Sequence, residues 1–218
     1  MPDKVRSLYG VDEQTQAIWV FLGQIKGTLE GVALELLAHA RGLADQAGWG
    51  LVGLLMGHHV GHLAERAFHY GADELWLADH PLLEDYTVDA YARVAYDAIL
   101  EGKPSAVLTG ATANGRDLFG RLAVRLRTGL TADCTDLKLD PETGTLISEV
   151  TGFGGGVLAL IEAPTHRPQM ATVRPGVFPP GEPQPSRTGR VIDFQAALSP
   201  EMVHTKVVET VVGAGVDL

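Results

Sequence analysis

The chain has 218 residues, 45% of them hydrophobic and 20% charged, with 26 glycines and 12 prolines. That length points to one domain, or one domain with an appendage, large enough to bury a core without covalent staples. Its 17 basic and 27 acidic residues give a formal net charge of −10, which argues against a general nucleic-acid or anionic-membrane surface but leaves room for a local basic pocket.

The opening Met1-Pro2-Asp3-Lys4-Val5 lacks the apolar region of a secretion signal. No window approaches the ~18 consecutive apolar residues of a membrane span, so no membrane insertion is expected. From about residue 17 to 128, short apolar runs alternate with amphipathic ones. Ala17 to Leu22 is a continuous apolar run, which predicts a strand buried on both faces and ending at Gly23. Val32, Leu34, Leu36, Leu37, Ala40 and Leu43 mark the face of a first helix that stops near Gly48 and Gly50. Leu51–Met56 reads as a second strand, and Leu63–Tyr70 as a short helix closed by Gly71. Glu74–Ala78 is a third strand, and a third helix runs from Val88 to Leu100 and ends at Gly102. Ser105–Thr109 is a fourth strand, and a fourth helix runs from Asn114 to Arg127 and ends at Gly129. Strands alternating with helices in this order predict a Rossmann-like, doubly wound α/β domain with a mainly parallel sheet.

The second part differs. Asp140–Gly144 is a turn between two β-like stretches, Gly156–Ile161 is strand-like, and Gln169–Arg174 is a strand closed by Pro175-Gly176. These are expected to be added C-terminal antiparallel strands extending the same sheet. Residues 179–190 read as a Pro-rich linker, and Val203–Val212 as one more β-like run before Gly215–Leu218. The domain is drawn over residues 1–190, with 191–218 as linker and lead-in.

In an open parallel sheet, ligands bind beyond the carboxyl ends of the strands, where strand order reverses. The first and fourth strands are the expected pair. After the fourth, Thr112 or Asn114 caps the helix, Gly110 and Gly115 let backbone approach a ligand, and Arg116 adds charge. This turn is either an anion site or a plain capped turn with a surface arginine. Gly152-Phe153-Gly154-Gly155-Gly156 opens a strand, not a helix, so it is a strand connection and not a dinucleotide loop. His58, His59 and His62 cluster after the second strand, but no acidic base lies in register and no metal site is expected. Cys134 is the only cysteine, so no intrachain disulfide forms, and a lone thiol fits a reducing, cytoplasmic setting. Its acidic neighbours raise the thiol pKa and argue against a nucleophile. Arg174, fixed by Pro175, is either a solvated strand-end arginine or a rigidly mounted guanidinium suited to a carbonyl edge or a flavin ring.

Long ordered strings carry a resemblance. They are Asn114-Gly115-Arg116-Asp117-Leu118, Thr128-Gly129-Leu130-Thr131-Ala132-Asp133-Cys134-Thr135, Phe153-Gly154-Gly155, and His166-Arg167-Pro168-Gln169-Met170-Ala171-Thr172-Val173-Arg174-Pro175-Gly176. From about residue 17 onward the chain resembles the N-terminal domain of the electron transfer flavoprotein alpha subunit, the FixB-like family. The resemblance implies a Rossmann-like fold of the adenine-nucleotide-hydrolase-like kind. It implies a heterodimer with a beta subunit that shuttles electrons between flavoprotein dehydrogenases and an acceptor, as an electron carrier and not as a self-sufficient catalyst. Some members bind a second FAD, held mainly by the beta subunit, and bifurcate electrons from NADH. Carried over, Arg174 with Thr172 and Pro175 approaches the flavin ring, while Asn114, Gly115, Arg116 and the stretch from Thr131 to Thr135, including Cys134, line or support the interface. Family members continue into a domain that holds the electron-transferring FAD. Its motifs do not follow here, so the chain alone is not expected to bind that FAD. The alternative from the residues is a stand-alone module binding AMP or ATP at the exits of the first and fourth strands.

Overall fold

The computed structural model describes residues 7–209. In chain order its elements are β1 (Thr15–Phe21), β2 (Gln24–Ile25), β3 (Thr28–Leu29), α1 (Gly31–Ala47), β4 (Gly50–Gly57), α2 (Ala64–His69), β5 (Glu74–Asp79), α3 (Val88–Gly102), β6 (Pro104–Gly110) and α4 (Ala113–Leu126). There follow β7 (Leu130–Cys134), β8 (Asp136–Leu139), β9 (Leu146–Gly152), β10 (Val157–Glu162), β11 (Gln169–Val173) and β12 (Arg190–Asp193).

Seven strands form one sheet in the order β12-β5-β4-β1-β6-β11-β7, and every neighbouring pair is parallel. The chain moves outward from β1 through β4 to β5 on one side, then resumes at β6 on the other. The reversal therefore falls between β1 and β6, as the strand order predicts. β1 shows why its apolar run is continuous. Ile18 and Val20 pack into the layer that carries α1 and α2, and Trp19 and Phe21 into the layer that carries α3 and α4. Each layer closes on the apolar stripe of its helices, such as Leu36, Leu37 and Ala40 of α1 and Leu118, Phe119 and Leu122 of α4.

Helix ends depart slightly from the sequence reading. α1 stops where expected, with Gly48 left-handed at φ 68° and its N–H returned to Ala44 and Asp45. α3 runs through Gly102 and stops at Lys103, and α4 stops at Arg127, both left-handed without glycine.

The second part departs more. β11 and β7 do extend the sheet, but as parallel strands. β8, β9 and β10 instead form their own antiparallel sheet, joined by the Asp140–Gly144 turn and by Phe153–Gly155, so the glycine run is a strand connection as expected. The inner residues Leu137, Leu139 and Leu146 seal onto the α1 layer, so this small sheet is a flap over the core and not an extension of it. The Pro-rich stretch is held along its length. Gln184 N–H donates to His69 O at 2.8 Å, and the Arg187 guanidinium reaches Asp73 at 2.9 Å. Asp73 also receives Arg41 and the Leu51 N–H. Burial pushes its carboxyl upward, but these donors outweigh burial and hold it below the usual range. β12 then pairs with β5 as the sheet edge. Residues 203–209 form no strand, and the rest of the expected β-like run, with Gly215–Leu218, lies outside the described residues.

The entry to α4 depends on one close approach. The Thr112 hydroxyl caps the helix by accepting from Gly115 N–H at 3.2 Å, and a Cβ at Gly115 would collide with the Gly110 carbonyl. The glycine is needed for internal packing and not for a ligand. Gly120, exposed on the same helix, has nothing near its missing Cβ. Gly115→Ala is therefore expected to destabilise by ~1–3 kcal/mol, and Gly120→Ala to stabilise by ~0.5–1 kcal/mol. Urea denaturation of the two variants checks the opposite signs.

Candidate functional site

The carboxyl ends of the parallel strands face the same way and divide into two neighbouring surfaces. The first is a cleft of about 860 Å³ beyond β1, β4, β5 and β6, walled by Gln24 to Gly27, the His58–His62 loop, Tyr86 and Asn114. The second lies beyond β6, β11 and β7 and carries Arg116 and Arg174.

Glu30 sits at the divide. Its N–H donates to Gly23 O at 2.9 Å, its carboxylate lies over Gly23 where a Cβ would strike it, and Thr112 Oγ1 stands 3.5 Å from Oε2. One carboxylate thus touches the exits of both β1 and β6, at the start of α1. This is where a nucleotide-binding sheet would place a phosphate. Burial raises the Glu30 pKa, only partly offset by Thr112.

The second surface is stitched by backbone. Ala111 N–H donates to Val173 O at 2.7 Å, and Arg174 N–H to Cys134 O at 3.1 Å. After Pro175, Gly176 N–H donates to the Glu35 carboxylate at 2.9 Å. The backbone on both sides of Arg174 is therefore anchored, while its side chain is exposed and takes no partner among the described residues. Arg116 is more engaged, with Nε 3.0 Å from the Asp133 carboxylate. Asp133 itself is left-handed at φ 57°.

The sequence-predicted residues separate by exposure. Arg174, Pro175 and Arg116 reach the surface, and Asn114 is half-buried at the edge of the cleft, where its carbonyl accepts from Tyr86. Thr172 does not face outward. It is fully buried and its Oγ1 accepts from Asp133 N–H at 3.0 Å, so it shapes the β7 end. Gly115 is buried under the helix cap, and Thr131 is half-buried with its carbonyl facing the Cys134 thiol at 3.6 Å. Cys134 is buried and its thiol is pushed up to about 11, chiefly by burial, with Asp133 a smaller cause. These residues support the surface from beneath. Sequence reasoning missed Glu30. Its signal, an acid immediately before α1 beside Gly23, is visible only once β1 and β6 are known to be neighbours.

Fold and site together define an α/β domain whose cation-bearing face is open and unenclosed. The electron transfer flavoprotein domain model matches residues 18–199, and the chain belongs to that family. It is 44% identical over 190 residues to the electron transfer flavoprotein subunit alpha of Thermoanaerobacterium thermosaccharolyticum, covering 87% of this chain and 57% of that protein. It is 49% identical over 163 residues to protein FixB of Clostridium saccharobutylicum, covering 75% and 48%. It is 42% identical over 218 aligned positions to the acryloyl-CoA reductase electron transfer subunit beta of Anaerotignum propionicum, covering 89% and 59%. The chain thus spans about half the length of the curated relatives it matches. Among the described residues no helix is long and apolar enough to cross a membrane.

The Glu30 environment gives a pH signature. A carboxyl whose folded pKa is raised destabilises the fold above that value and ceases to do so below its unfolded value near ~4.3. Glu30→Gln is expected to be the more stable protein at neutral pH. The wild type should draw level as pH falls through the raised pKa, as read from urea midpoints at a series of pH values.

Proposed function

We propose that this chain is an alpha-type electron-transfer domain that completes a flavin site on a second, beta-type subunit. One observation carries the reading, which is Arg174: an exposed guanidinium without a partner, mounted on backbone that is hydrogen-bonded on both sides. Arg174, Pro175 and Arg116 form an open surface and not an enclosed pocket. That suits an FAD held mainly by another chain, and it fits the residues present. When bound, the flavin would supply the one- and two-electron chemistry. The residues of this chain would orient and tune it. Arg174 would donate hydrogen bonds to the electron-rich edge of the ring and offset negative charge there, and Pro175 would restrict its backbone.

The docking surface lies beside it. From Cys134, whose carbonyl holds Arg174, the chain passes directly into the antiparallel flap. β10 is the flap's outer strand and pairs only with β9 among the described residues. Leu158 and Leu160, on one face of it, are 58% and 62% exposed, and Val157 and Ile161 are exposed on the other. An apolar edge strand left open invites association. The beta-type subunit is the occupant favoured by the family and by the course of the chain, which enters the flap directly after Cys134, the residue whose carbonyl holds Arg174. The alternative, a stand-alone adenine-nucleotide module, is disfavoured by Glu30, whose carboxylate occupies the phosphate position.

Arg174→Ala should leave stability within ~0.5 kcal/mol of wild type. In the complex reconstituted with the beta-type subunit and FAD, it should weaken the flavin or shift its potential negative, with partial recovery in Arg174→Lys. Unchanged flavin affinity and potential would remove this role. Burying a leucine is worth ~1.5–3 kcal/mol, so Leu158→Asp with Leu160→Asp should weaken subunit association by at least ~100-fold. Size-exclusion chromatography of the mixed subunits reads this directly, and self-association of the wild-type chain through the same strand would contradict the assignment.

A further inference from the structure

The geometry points to a divalent transition-metal site, of the class that binds zinc, formed by His58, His59 and Asp79, with both histidines lining the 860 Å³ cleft. It is independent of the electron-transfer reading. The two histidines leave the end of β4, and Asp79 is the last residue of β5, whose register pairs Gly57 with Asp79. One ligand atom from each residue lies within 4.8 Å of the others.

The loop is built to hold them there. Asp79 accepts His59 N–H at 2.8 Å and Val60 N–H at 3.1 Å, one on each carboxylate oxygen. His59 is left-handed at φ 57°, which is uncommon for a non-glycine residue but is adopted more readily by histidine than by most. The His58 and His59 rings lie 3.8 Å apart between centroids. His58 Nδ1 has been withdrawn from solvent without gaining a hydrogen bond, and its nearest acid oxygen, on Asp79, is 3.4 Å away. The contact is long for a hydrogen bond, and a metal ion held by both groups would replace it with direct coordination.

Two imidazoles and one carboxylate are the donor set of zinc sites that keep a position open. Both histidines line the cleft, so water or an oxygen donor from a small ligand there would complete the coordination. Bonds of ~2.0–2.2 Å would draw the three donors closer than they now stand. His62 braces the same loop without joining the set, since its ring nitrogens lie 3.1 Å from the His59 and Gly27 carbonyls. Glu84 and Asp85 line the same cleft and add negative potential that favours a cation. Local spacing could not reveal this site, because the carboxylate comes from the next strand.

The test is a titration of the metal-stripped full chain with Co²⁺, followed by absorbance, then displacement by Zn²⁺. We expect stoichiometric binding at micromolar concentration or tighter, with ligand-field bands. The His58→Ala/His59→Ala double variant should bind at least ~10-fold more weakly. His204→Ala, a histidine beside Asp89 and outside the cluster, should match wild type. Absence of saturable micromolar binding by the wild type, or undiminished binding by a folded double variant, overturns the site. Because the wild-type titration alone can overturn it, misfolding of a variant does not shelter the proposal.

Discussion

The insertion of β11 between β6 and β7 is the constraint on which the rest of the molecule depends. β7 follows β6 in the chain, yet the two are not neighbours in the sheet. The gap is filled only after the chain has left the sheet, built β8, β9 and β10, and returned. β11 then bonds to a strand on each side, and its fully buried residues Ala171 and Thr172 show how completely it is enclosed. Three bonds close its carboxyl end: Ala111 to Val173, Asp133 to Thr172 and Arg174 to Cys134. The exposed arginine, the half-buried turn of α4 and the root of the flap are thereby fixed to one another by two main-chain bonds and by the fully buried Thr172 hydroxyl.

The same topology explains why the molecule has two surfaces at one end. Parallel strands share a direction, so every strand exit and every helix start gathers on one rim. The switch between β1 and β6 then splits that rim. On one side stand the histidine loop and its cleft, and on the other the arginine-bearing exits. Glu30 occupies the split, half-buried and touching both sides. A carboxylate there, when ionised, would repel a phosphate at the position where this architecture most readily binds one.

Much of this was legible in the sequence. β1, β4, β5 and β6 are short apolar runs buried on both faces, and α1 and α4 carry apolar stripes at helical spacing, so period and length alone locate them. What escaped was pairing at a distance. Nothing local in Leu137, Leu139 and Leu146 says that their apolar faces close on α1 instead of joining the main sheet. The Pro-rich stretch has the composition of a linker, but Asp73, more than a hundred residues earlier, pins it through Arg187. Thr172 stands two residues from Arg174, which in a strand places the two on the same face. The β7 end covers one and leaves the other bare. The residues named from the resemblance gather at one rim of the sheet, and burial decides which of them show there: Arg174 is exposed and Thr172 is not.

The strength of the Arg174 charge is itself conditional. In the isolated chain the guanidinium is in water, where salt screens it and its reach is modest. Its neighbour Arg116 is already engaged by Asp133, so it adds little free charge to the surface. A second chain that docked over this surface would remove water from it. The same guanidinium would then act in a medium of lower dielectric, where a single charge is worth several times more. No conformational change is needed, because the backbone that carries the arginine is already anchored. On this reading the apolar strand and the bare cation form one device, in which docking supplies the desolvation that gives the charge its effect.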